Sequence, residues 1–305
     1  METTASPRRA IALGFFDGIH RGHGMLLNKA LQRAQELSLS PAVFTFDRHP
    51  SDLYADTPIK LINSAQDRAD LIHRLYGIAD VIFSHFDEAM MHMSWEDFIT
   101  NMLYNECGAR HLVCGEDFHF GYRGEGTPDK LQAKCAELGI RCDVIPLLEL
   151  DGIKVGSTYI RTLLFDGNME RAMEFLGHPH CLSQTVEHGR HLGSTIGIPT
   201  VNLTVPPHVL TPAHGVYASQ VQIGTARYMG VTNVGVRPTV DQSDRVTVET
   251  FILDFDGDLY GQSLRVDFYR RLRAERKFDS LERLKDQIQR DIASTRNYFS
   301  QHPQI

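Results

Sequence analysis

The sequence predicts an α/β unit with a parallel sheet, followed by a small antiparallel β-barrel that ends in a helix. From residue 10 to about residue 150, short β-type runs alternate with helical patterns, which is typical of a parallel sheet covered by helices. After about residue 177, the chain becomes strand-like and rich in turn residues, as in a small barrel. A length of 305 residues also favours two domains over one.

The elements of the first unit follow from this alternation. Strands are predicted at residues 10–13, 42–46, 81–83 and 111–114, and helices near residues 24–37, 65–75 and 95–104. Ligands of such sheets bind beyond the carboxyl ends of the strands. The loops after residues 13, 46 and 114 are therefore the places to look for a binding site.

The elements of the second unit are read in the same way. Strands are predicted at residues 215–221, 228–233, 246–254 and 263–268, and a final helix near residues 281–298. In that helix Leu281, Leu284, Ile288 and Ile292 recur at helical spacing. This apolar stripe would pack on the barrel.

Composition excludes several classes of protein. A net charge of -7 and the absence of a basic stripe argue against a nucleic-acid partner. The apolar runs are too short to span a membrane, and residues 1–10 lack the apolar core of a signal peptide, so a cytoplasmic protein without a membrane partner is expected. The five cysteines form no CxxC pair, and we interpret them as reduced packing residues. Nothing in the sequence indicates an oligomeric state.

A glycine- and histidine-rich turn follows the first predicted strand and leads into a helix. It reads GFFDGIHRGH over residues 14–23. Glycines allow a tight turn and a close approach to a ligand, and a helix N-terminus offers N–H groups to phosphate. His20 and His23 could both donate hydrogen bonds to one phosphoryl group and stabilise its charge in a transition state. Alternatively, the glycines only form a turn, and the histidines are half of a metal site or a chance pair.

Polar residues follow the other predicted strands as well. His49 and Pro50 come after the second strand, where a stiffened polar loop is the ordinary alternative. The segment 115–121 follows the fourth strand and carries Phe118 and Phe120, which could line a substrate site or belong to the core. Farther along, hydroxyl residues at a helix start precede Arg161, so that donors and a cation could meet one phosphate.

The second unit contains a separate group of candidate residues. The stretch 188–203 is dense in glycine around a Pro-Thr pair, in which Thr200 and Asn202 could meet a metal ion and phosphate. On the strand 246–254, alternation places Glu249 on the same face as Phe251 and Leu253. A buried carboxylate of this kind could act as a general base, or it could simply pair with Arg245 or Arg265.

Four segments of the first part of the chain are residues 14–23, 45–50, 115–126 and 156–161. In this order, over residues 9–176, they resemble the adenylyltransferase half of the bacterial bifunctional riboflavin kinase/FMN adenylyltransferase family. The second half resembles its riboflavin kinase domain, through residues 199–202, 215–217, 233–239, 248–250, 259–261, 272–273 and 277–278. The resemblance implies a Rossmann-like nucleotidyltransferase domain over residues 1–177 and a six-stranded antiparallel barrel with a C-terminal helix over residues 178–305.

The resemblance also implies roles for individual residues. The implied catalytic residues are Glu249, His20, His23 and Arg161. Nucleotide and phosphate binding is implied for Gly14, Phe15, Asp17, Gly18, Gly22, Ser157, Thr158, Gly189, Gly193, Thr200 and Asn202. Flavin binding is implied for His49, Pro50, Gly115, Asp117, Phe118 and Phe120. Thr200 and Asn202 would also organise Mg²⁺.

The implied activity consists of two reactions: ATP phosphorylates riboflavin to FMN in the barrel, and a second ATP adenylylates FMN to FAD in the first unit. The expected ligands are therefore riboflavin, FMN, FAD, ATP and Mg²⁺. This chain departs from the family pattern at Gly24, where a Gln is common, and at Gly156, where a further Ser is common. The alternatives are that only one half is active, that the first half is a cytidylyl- or pantetheine-type nucleotidyltransferase fused to an unrelated barrel, or that the chain is a flavin-binding regulatory module.

Overall fold

The computed structural model describes residues 7–187, 198–237 and 245–303. The chain forms two compact units, Met1–Gly156 and Ser157–Ile305. None of the helices in these described parts is long and apolar enough to cross a membrane. All five cysteines are free thiols, and four of them are buried, in agreement with their interpretation as packing residues.

The first unit contains a five-stranded parallel sheet in the order β3-β2-β1-β4-β5. Its strands are β1 (Arg9–Leu13), β2 (Ser40–Phe46), β3 (Asp80–Ser84), β4 (Ala109–Gly115) and β5 (Arg141–Ile145). The strand order reverses between β1 and β4, and such a switch point opens a crevice at the carboxyl ends of the two strands. The predicted parallel sheet is confirmed.

Helices accompany this sheet along the chain. They are α1 (Arg21–Leu37), α2 (Ala65–Tyr76), α3 (Glu88–Met91), α4 (Trp95–Asp97), which continues as a π-helix at Phe98–Glu106, and α5 (Pro128–Glu137). A short hairpin of β6 (Glu149–Leu150) and β7 (Ile153–Lys154) follows β5. The sequence analysis did not predict α5 or β5, because neither segment has a long apolar period.

An ion-pair network joins α1 to the edge strand β5. Arg33 donates to both carboxylate oxygens of Asp143, at 2.6 and 3.0 Å, and His111 Nε2 lies 2.9 Å from the same carboxylate. The hydrogen bond from Arg33 holds the pKa of Asp143 below its usual value. This polar network compensates for the weak apolar pattern of β5, where only Ile145 is buried.

The second unit contains a six-stranded antiparallel sheet in the order β8-β13-β10-β11-β12-β9. Its elements are α6 (Ser157–Asp166), α7 (Met169–Leu176), β8 (His180–Thr185), β9 (Val201–Thr204), β10 (Gly215–Ile223), β11 (Ala226–Arg237), β12 (Arg245–Ile252), β13 (Ser263–Arg273) and α8 (Leu281–Gln301). A bridge between Glu187 and Asn202 brings the two edges of the sheet together. The result is the predicted six-stranded barrel, nearly closed, with α8 on β10 and β11.

The helices α6 and α7 belong to the barrel unit by their packing. They contact each other, and α7 contacts β8 and β13. Structurally, the division of the chain therefore falls after Gly156. The functional boundary expected between residues 177 and 178 stays a prediction.

A buried histidine makes the barrel sensitive to acid. His180 on β8 is 1% exposed, and both of its ring nitrogens are buried without a hydrogen-bond partner among the described residues. Burial, with smaller contributions from His178 and Arg265, lowers its pKa to about 3. The unfolded chain therefore binds a proton at His180 below about pH 6.5, whereas the folded barrel does not.

Above pH 6.5 we expect His180 to have no pH-dependent effect on the free energy of unfolding. As the pH falls from 6.5 toward 3, we expect His180 to destabilise the folded barrel progressively. The free energy of unfolding should decrease by about 1.4 kcal/mol per pH unit in that window. Urea titrations followed by NMR signals of barrel residues measure it. A His180→Leu variant should have a flatter pH dependence, and an unchanged slope would contradict this account.

Candidate functional site

The turn after β1 has an unusual backbone. Phe16, Gly18 and Ile19 adopt positive φ angles of 56°, 88° and 43°. This region is rare for residues with a side chain, and for a β-branched residue it carries strain. Phe16 and Ile19 are fully buried, and a Cβ atom at Gly14 would lie 3.1 Å from the Phe16 ring. Tight packing of these side chains therefore stabilises a backbone conformation that would otherwise be unfavourable.

Hydrogen bonds from two buried side chains hold this turn from within the unit. Arg68 on α2 donates from Nη1 to the Phe15 carbonyl oxygen at 2.7 Å and from Nη2 to the Phe46 carbonyl oxygen at 2.8 Å. The Thr45 hydroxyl donates to the Phe15 carbonyl oxygen at 2.8 Å and accepts from Arg68 Nη1 at 3.1 Å. The sequence analysis singled out neither residue, because nothing in the sequence shows that position 68 lies beneath position 15.

Asp17 also serves the turn. Its side chain is 1% exposed, and Oδ1 accepts a hydrogen bond from the backbone N–H of Asn63 at 3.2 Å. Asp17 was expected to bind nucleotide phosphate. This hydrogen bond contributes to the shape of the turn. The expected contact of Asp17 with nucleotide phosphate stays a prediction.

His20 and His23 lie at the N-terminus of α1 with their rings stacked, the centroids 3.5 Å apart and the planes at 15°. His20 Nδ1 accepts a hydrogen bond from the backbone N–H of His23 at 3.2 Å and thereby caps the helix. When neutral, His20 must then carry its proton on Nε2. A predicted hydrogen-bond donor is thus fixed in its tautomer at a helix N-terminus.

His23 is held in its neutral form. Its Nδ1 atom is buried and has no hydrogen-bond partner among the described residues. Burial lowers its pKa well below the usual value, and the positive charges of His20 and Arg68 act in the same direction. A neutral imidazole still has one N–H to donate.

The loop after β2 reaches the same turn. The His49 ring meets the Phe15 ring edge-on, with the centroids 4.9 Å apart. His49 Nδ1 lies 2.6 Å from the Ser51 hydroxyl, and Pro50 begins a 3₁₀ helix at Pro50–Leu53. The structure therefore brings together two of the predicted loops.

The loop after β4 is anchored differently. Asp117 forms an ion pair with Lys154 at 2.8 Å, next to Gly115, where a Cβ would lie 3.1 Å from the Asp117 carboxylate. Phe118 and Phe120 stack at 5.2 Å, but Phe120 is 7% exposed and belongs to the hydrophobic core. Phe120 therefore packs in the core, which is one of the two alternatives that the sequence left open, and its expected contact with a flavin stays a prediction. Phe118 is only partly buried against that core.

Ser157, Thr158 and Arg161 lie in the first two turns of α6, in the second unit. Thr158 is exposed, and Ser157 and Arg161 are half-buried. Their expected contact with ATP phosphates stays a prediction.

Glu249 lies in the middle of β12, directly opposite Asn233 on β11 and Asn202 on β9. Opposite residues on antiparallel strands share a face, so the carboxylate is flanked by two amides. Its neighbours Val248 and Thr250 are fully buried on the other face, whereas Glu249 is half-buried. The expected burial of Glu249 among apolar side chains is therefore corrected, because the apolar core lies on the opposite face of the strand.

The remaining predicted residues of the barrel site divide into two groups. Asn202 is 7% exposed and donates from Nδ2 to the Thr200 carbonyl oxygen at 3.4 Å, which places the two residues together. Gly189 and Gly193 lie outside the described residues, as do Pro238, Thr239 and the rest of the glycine-rich stretch before Ile198. Of the two proposed ion-pair partners of Glu249, Arg265 donates to Asp267 at 2.6 Å, and the side chain of Arg245 is outside the description.

The second unit also contains a basic cavity of about 450 Å³ that the sequence analysis did not identify. It is lined by Arg276, Lys277, Phe278, Asp279, Arg283, Asp286 and Arg290. These residues lie after β13 and in the first half of α8. The signal in the sequence is a run of cations next to an aromatic residue, which is too common to predict a cavity.

Two family models match the chain. The model for FAD synthetase matches residues 2–159, and the model for riboflavin kinase matches residues 176–299. The first match contains the β1 turn with its stacked histidines, and the second contains Thr200, Asn202 and Glu249.

Related proteins match over nearly the whole length. The bifunctional riboflavin kinase/FMN adenylyltransferase of Bacillus subtilis is 34% identical over 301 residues, covering 96% of this chain and 93% of the relative. The protein of the same name from Pseudomonas fluorescens is 35% identical, covering 93% and 91%. A crystal structure described as a macrolide-efflux protein from Streptococcus pneumoniae is similar with a TM-score of 0.83 and 30% identity, covering 97% of this chain and 96% of that one. The chain belongs to the bifunctional riboflavin kinase/FMN adenylyltransferase family.

Proposed function

We propose that the two reactions of this family proceed at separate sites in this chain, adenylyl transfer at the β1 turn and phosphoryl transfer around Glu249. The chain is a riboflavin kinase and FMN adenylyltransferase, with ATP as co-substrate. The observation that supports the assignment is that each matched region contains its own cluster of candidate catalytic groups. The stacked pair His20 and His23 lies in the first region, and Glu249 with its flanking amides lies in the second.

Adenylyl transfer needs stabilisation of charge rather than a base. The FMN phosphate is already an anion, and one of its oxygens attacks the α-phosphorus of ATP while the bond to pyrophosphate breaks. In our proposal, the Nε2–H of His20, the ring N–H of His23 and the free backbone N–H groups of α1 donate hydrogen bonds to the oxygens that gain charge. Ser157, Thr158 and Arg161 are proposed to hold the departing pyrophosphate.

Phosphoryl transfer to riboflavin begins from a neutral hydroxyl. As the 5′-oxygen attacks the γ-phosphorus of ATP and ADP leaves, its proton must go to an acceptor, for which we propose the Glu249 carboxylate. Asn202 and Asn233, directly opposite on the neighbouring strands, can orient this carboxylate. Positioning of the two substrates should supply most of the rate enhancement.

The residues beside Glu249 fit a magnesium ion. Thr200 and Asn202 offer a hydroxyl and an amide oxygen, which are the hard donors that Mg²⁺ prefers. When bound with ATP phosphates, the ion would neutralise part of their charge. We propose that Thr200 and Asn202 hold it, with phosphate oxygens and water as further ligands.

The structure distinguishes the two departures from the family pattern. A Cβ at Gly24 in the first turns of α1 would lie 2.4 Å from the Tyr76 hydroxyl, so this tyrosine fills the space of a side chain at position 24. At Gly156, nothing lies within 4 Å of a Cβ atom. Gly24 is therefore part of the packing between α1 and α2, and Gly156 is not constrained by its neighbours.

The two-site assignment predicts separable losses. His23→Ala should lower FAD formation from FMN by about 10²- to 10³-fold, and Glu249→Ala should lower FMN formation from riboflavin by about 10²- to 10⁴-fold. Each variant should retain the other reaction. Purified protein incubated with riboflavin or FMN, ATP and Mg²⁺ is followed by chromatography, and loss of both reactions in either variant would contradict separate sites.

The metal assignment predicts a change in magnesium dependence. Thr200→Val keeps the shape of the side chain but removes its oxygen, and we expect about ten times more Mg²⁺ for half-maximal FMN formation. Thr200→Ser keeps the oxygen and serves as the control. Equal magnesium dependence in all three proteins would remove Thr200 from the metal site.

The packing of Gly24 predicts a second-site rescue. Gly24→Ala should destabilise the first unit and slow FAD formation, because overpacking costs about 1–3 kcal/mol, more than the roughly 1 kcal/mol of helix propensity gained. Adding Tyr76→Phe should restore both, since the nearest ring carbon would be 3.3 Å away. Gly156→Ala is the matched control and should behave like the unmodified protein. Failure of the double variant to recover would show that Tyr76 is not the obstacle.

A further inference from the structure

Arg68 is among the largest fully buried side chains of the chain, with 0% exposure. Removing a guanidinium group from water costs several kcal/mol unless hydrogen bonds and opposite charge compensate for it. The contacts of the buried guanidinium must therefore offset this desolvation cost. Neither of the two reactions described above uses Arg68 directly.

The contacts of Arg68 join three neighbouring strands at or near their carboxyl ends. Besides its hydrogen bonds to the Phe15 and Phe46 carbonyls, the guanidinium carbon lies 4.6 Å from the centroid of the Phe15 ring and 5.4 Å from that of Phe83. Phe15 belongs to the turn after β1, Phe46 ends β2, and Phe83 is in β3. The side chain of Arg68 thus holds the carboxyl ends of β1, β2 and β3 in fixed positions relative to one another, next to the turn that carries His20 and His23.

The guanidinium keeps its positive charge in this position. Burial lowers the pKa of Arg68 to about 10, while the carboxylates of Asp17 and Asp47 act in the opposite direction. At neutral pH the group is therefore protonated. A fixed cation beneath the turn also acts on His23, because its charge opposes protonation of that imidazole.

We propose that Arg68 is a positioning residue for adenylyl transfer to FMN: from beneath the turn, its guanidinium fixes the Phe15 and Phe46 carbonyls and adds a permanent positive charge below the phosphate-binding histidines. The inference rests on the proposed role of His20 and His23. In this proposal, a residue on α2 that belongs to none of the sequence motifs maintains the shape of the phosphate site. The same residue contributes part of the positive electrostatic potential at that site.

Both effects follow from elementary physics. The turn contains strained residues at Phe16 and Ile19 and would relax if the Phe15 carbonyl were released. A shift of about 1 Å in a catalytic group can cost about a hundredfold in rate. The charge is surrounded by protein rather than water, so it is weakly screened and attracts the phosphates of ATP and FMN.

Two substitutions separate the shape from the charge. Arg68→Met removes both the charge and the hydrogen bonds, and we expect FAD formation from FMN to fall about a hundredfold, mainly in kcat. Arg68→Lys keeps the charge but cannot bond both carbonyls in the same geometry, so we expect an intermediate rate. FMN formation from riboflavin should be unchanged in both variants and reports that the rest of the chain is folded.

The titration of His23 provides a readout that a purely structural role would not change. The charged groups that act on His23 are His20 and Arg68, and Asp17 and Asp47 act in turn on Arg68. The hydroxyl of Tyr76 on α2 lies against Gly24, the next residue of α1. Followed by NMR, His23 should titrate at higher pH in Arg68→Met and as in the unmodified protein in Arg68→Lys. Thr45→Val is the matched control, because it removes the hydrogen bond to the Phe15 carbonyl and the one accepted from Arg68 without changing charge, and it should leave the titration in place.

The proposal is overturned if Arg68→Met forms FAD at the original rate, or if both Arg68 variants lose the activity equally with no change in the His23 titration. If Arg68→Met fails to fold its unit, seen as an altered Trp95 fluorescence, Arg68→Lys decides by the same two measurements. The titration needs no catalysis. It therefore tests Arg68 even if His23→Ala shows that the histidines are not at the adenylylation site.

Discussion

The carbonyl oxygen of Phe15 receives two hydrogen bonds from buried side chains, and the candidate adenylylation site depends on this point of attachment. Thr45 and Arg68 donate to it from β2 and α2, so the turn after β1 cannot move without disturbing both elements. The left-handed conformations of Phe16 and Ile19 persist because their side chains are fully buried. Core packing and buried hydrogen bonds together supply the free energy that holds this strained backbone in place.

The same arrangement sets the protonation of His23. Stacked imidazole rings cannot both be charged at low cost, and a buried guanidinium nearby adds to the penalty. His23 therefore remains neutral, and His20 is fixed in one tautomer by capping α1. Each ring can offer a hydrogen-bond donor, and the helix N-terminus and Arg68 add a positive potential.

The barrel carries out a different reaction, and its candidate site is built by strand pairing rather than by a turn. Its reaction requires removal of a proton, and the strand register places the Glu249 carboxylate between Asn202 and Asn233. Regular antiparallel pairing is enough to bring these residues together, because opposite positions share a face. No strained turn is involved among these three positions, and the fully buried Val248 and Thr250 on the other face fix the register.

The sequence by itself determined the order of the main elements and the two fold types, and it singled out the turn at residues 14–23 as a candidate phosphate site, because these depend on local periodicity and on glycine and histidine at close spacing. It also indicated Glu249, but not its surroundings, since alternation shows which residues share a face and not which face is buried. The roles of Arg68, Thr45 and Tyr76 were decided only by the tertiary structure. Their partners are tens of residues away, and a buried arginine looks in sequence like any charged residue of a helix surface. The burial of Asp17 and Phe120 is a long-range property in the same sense.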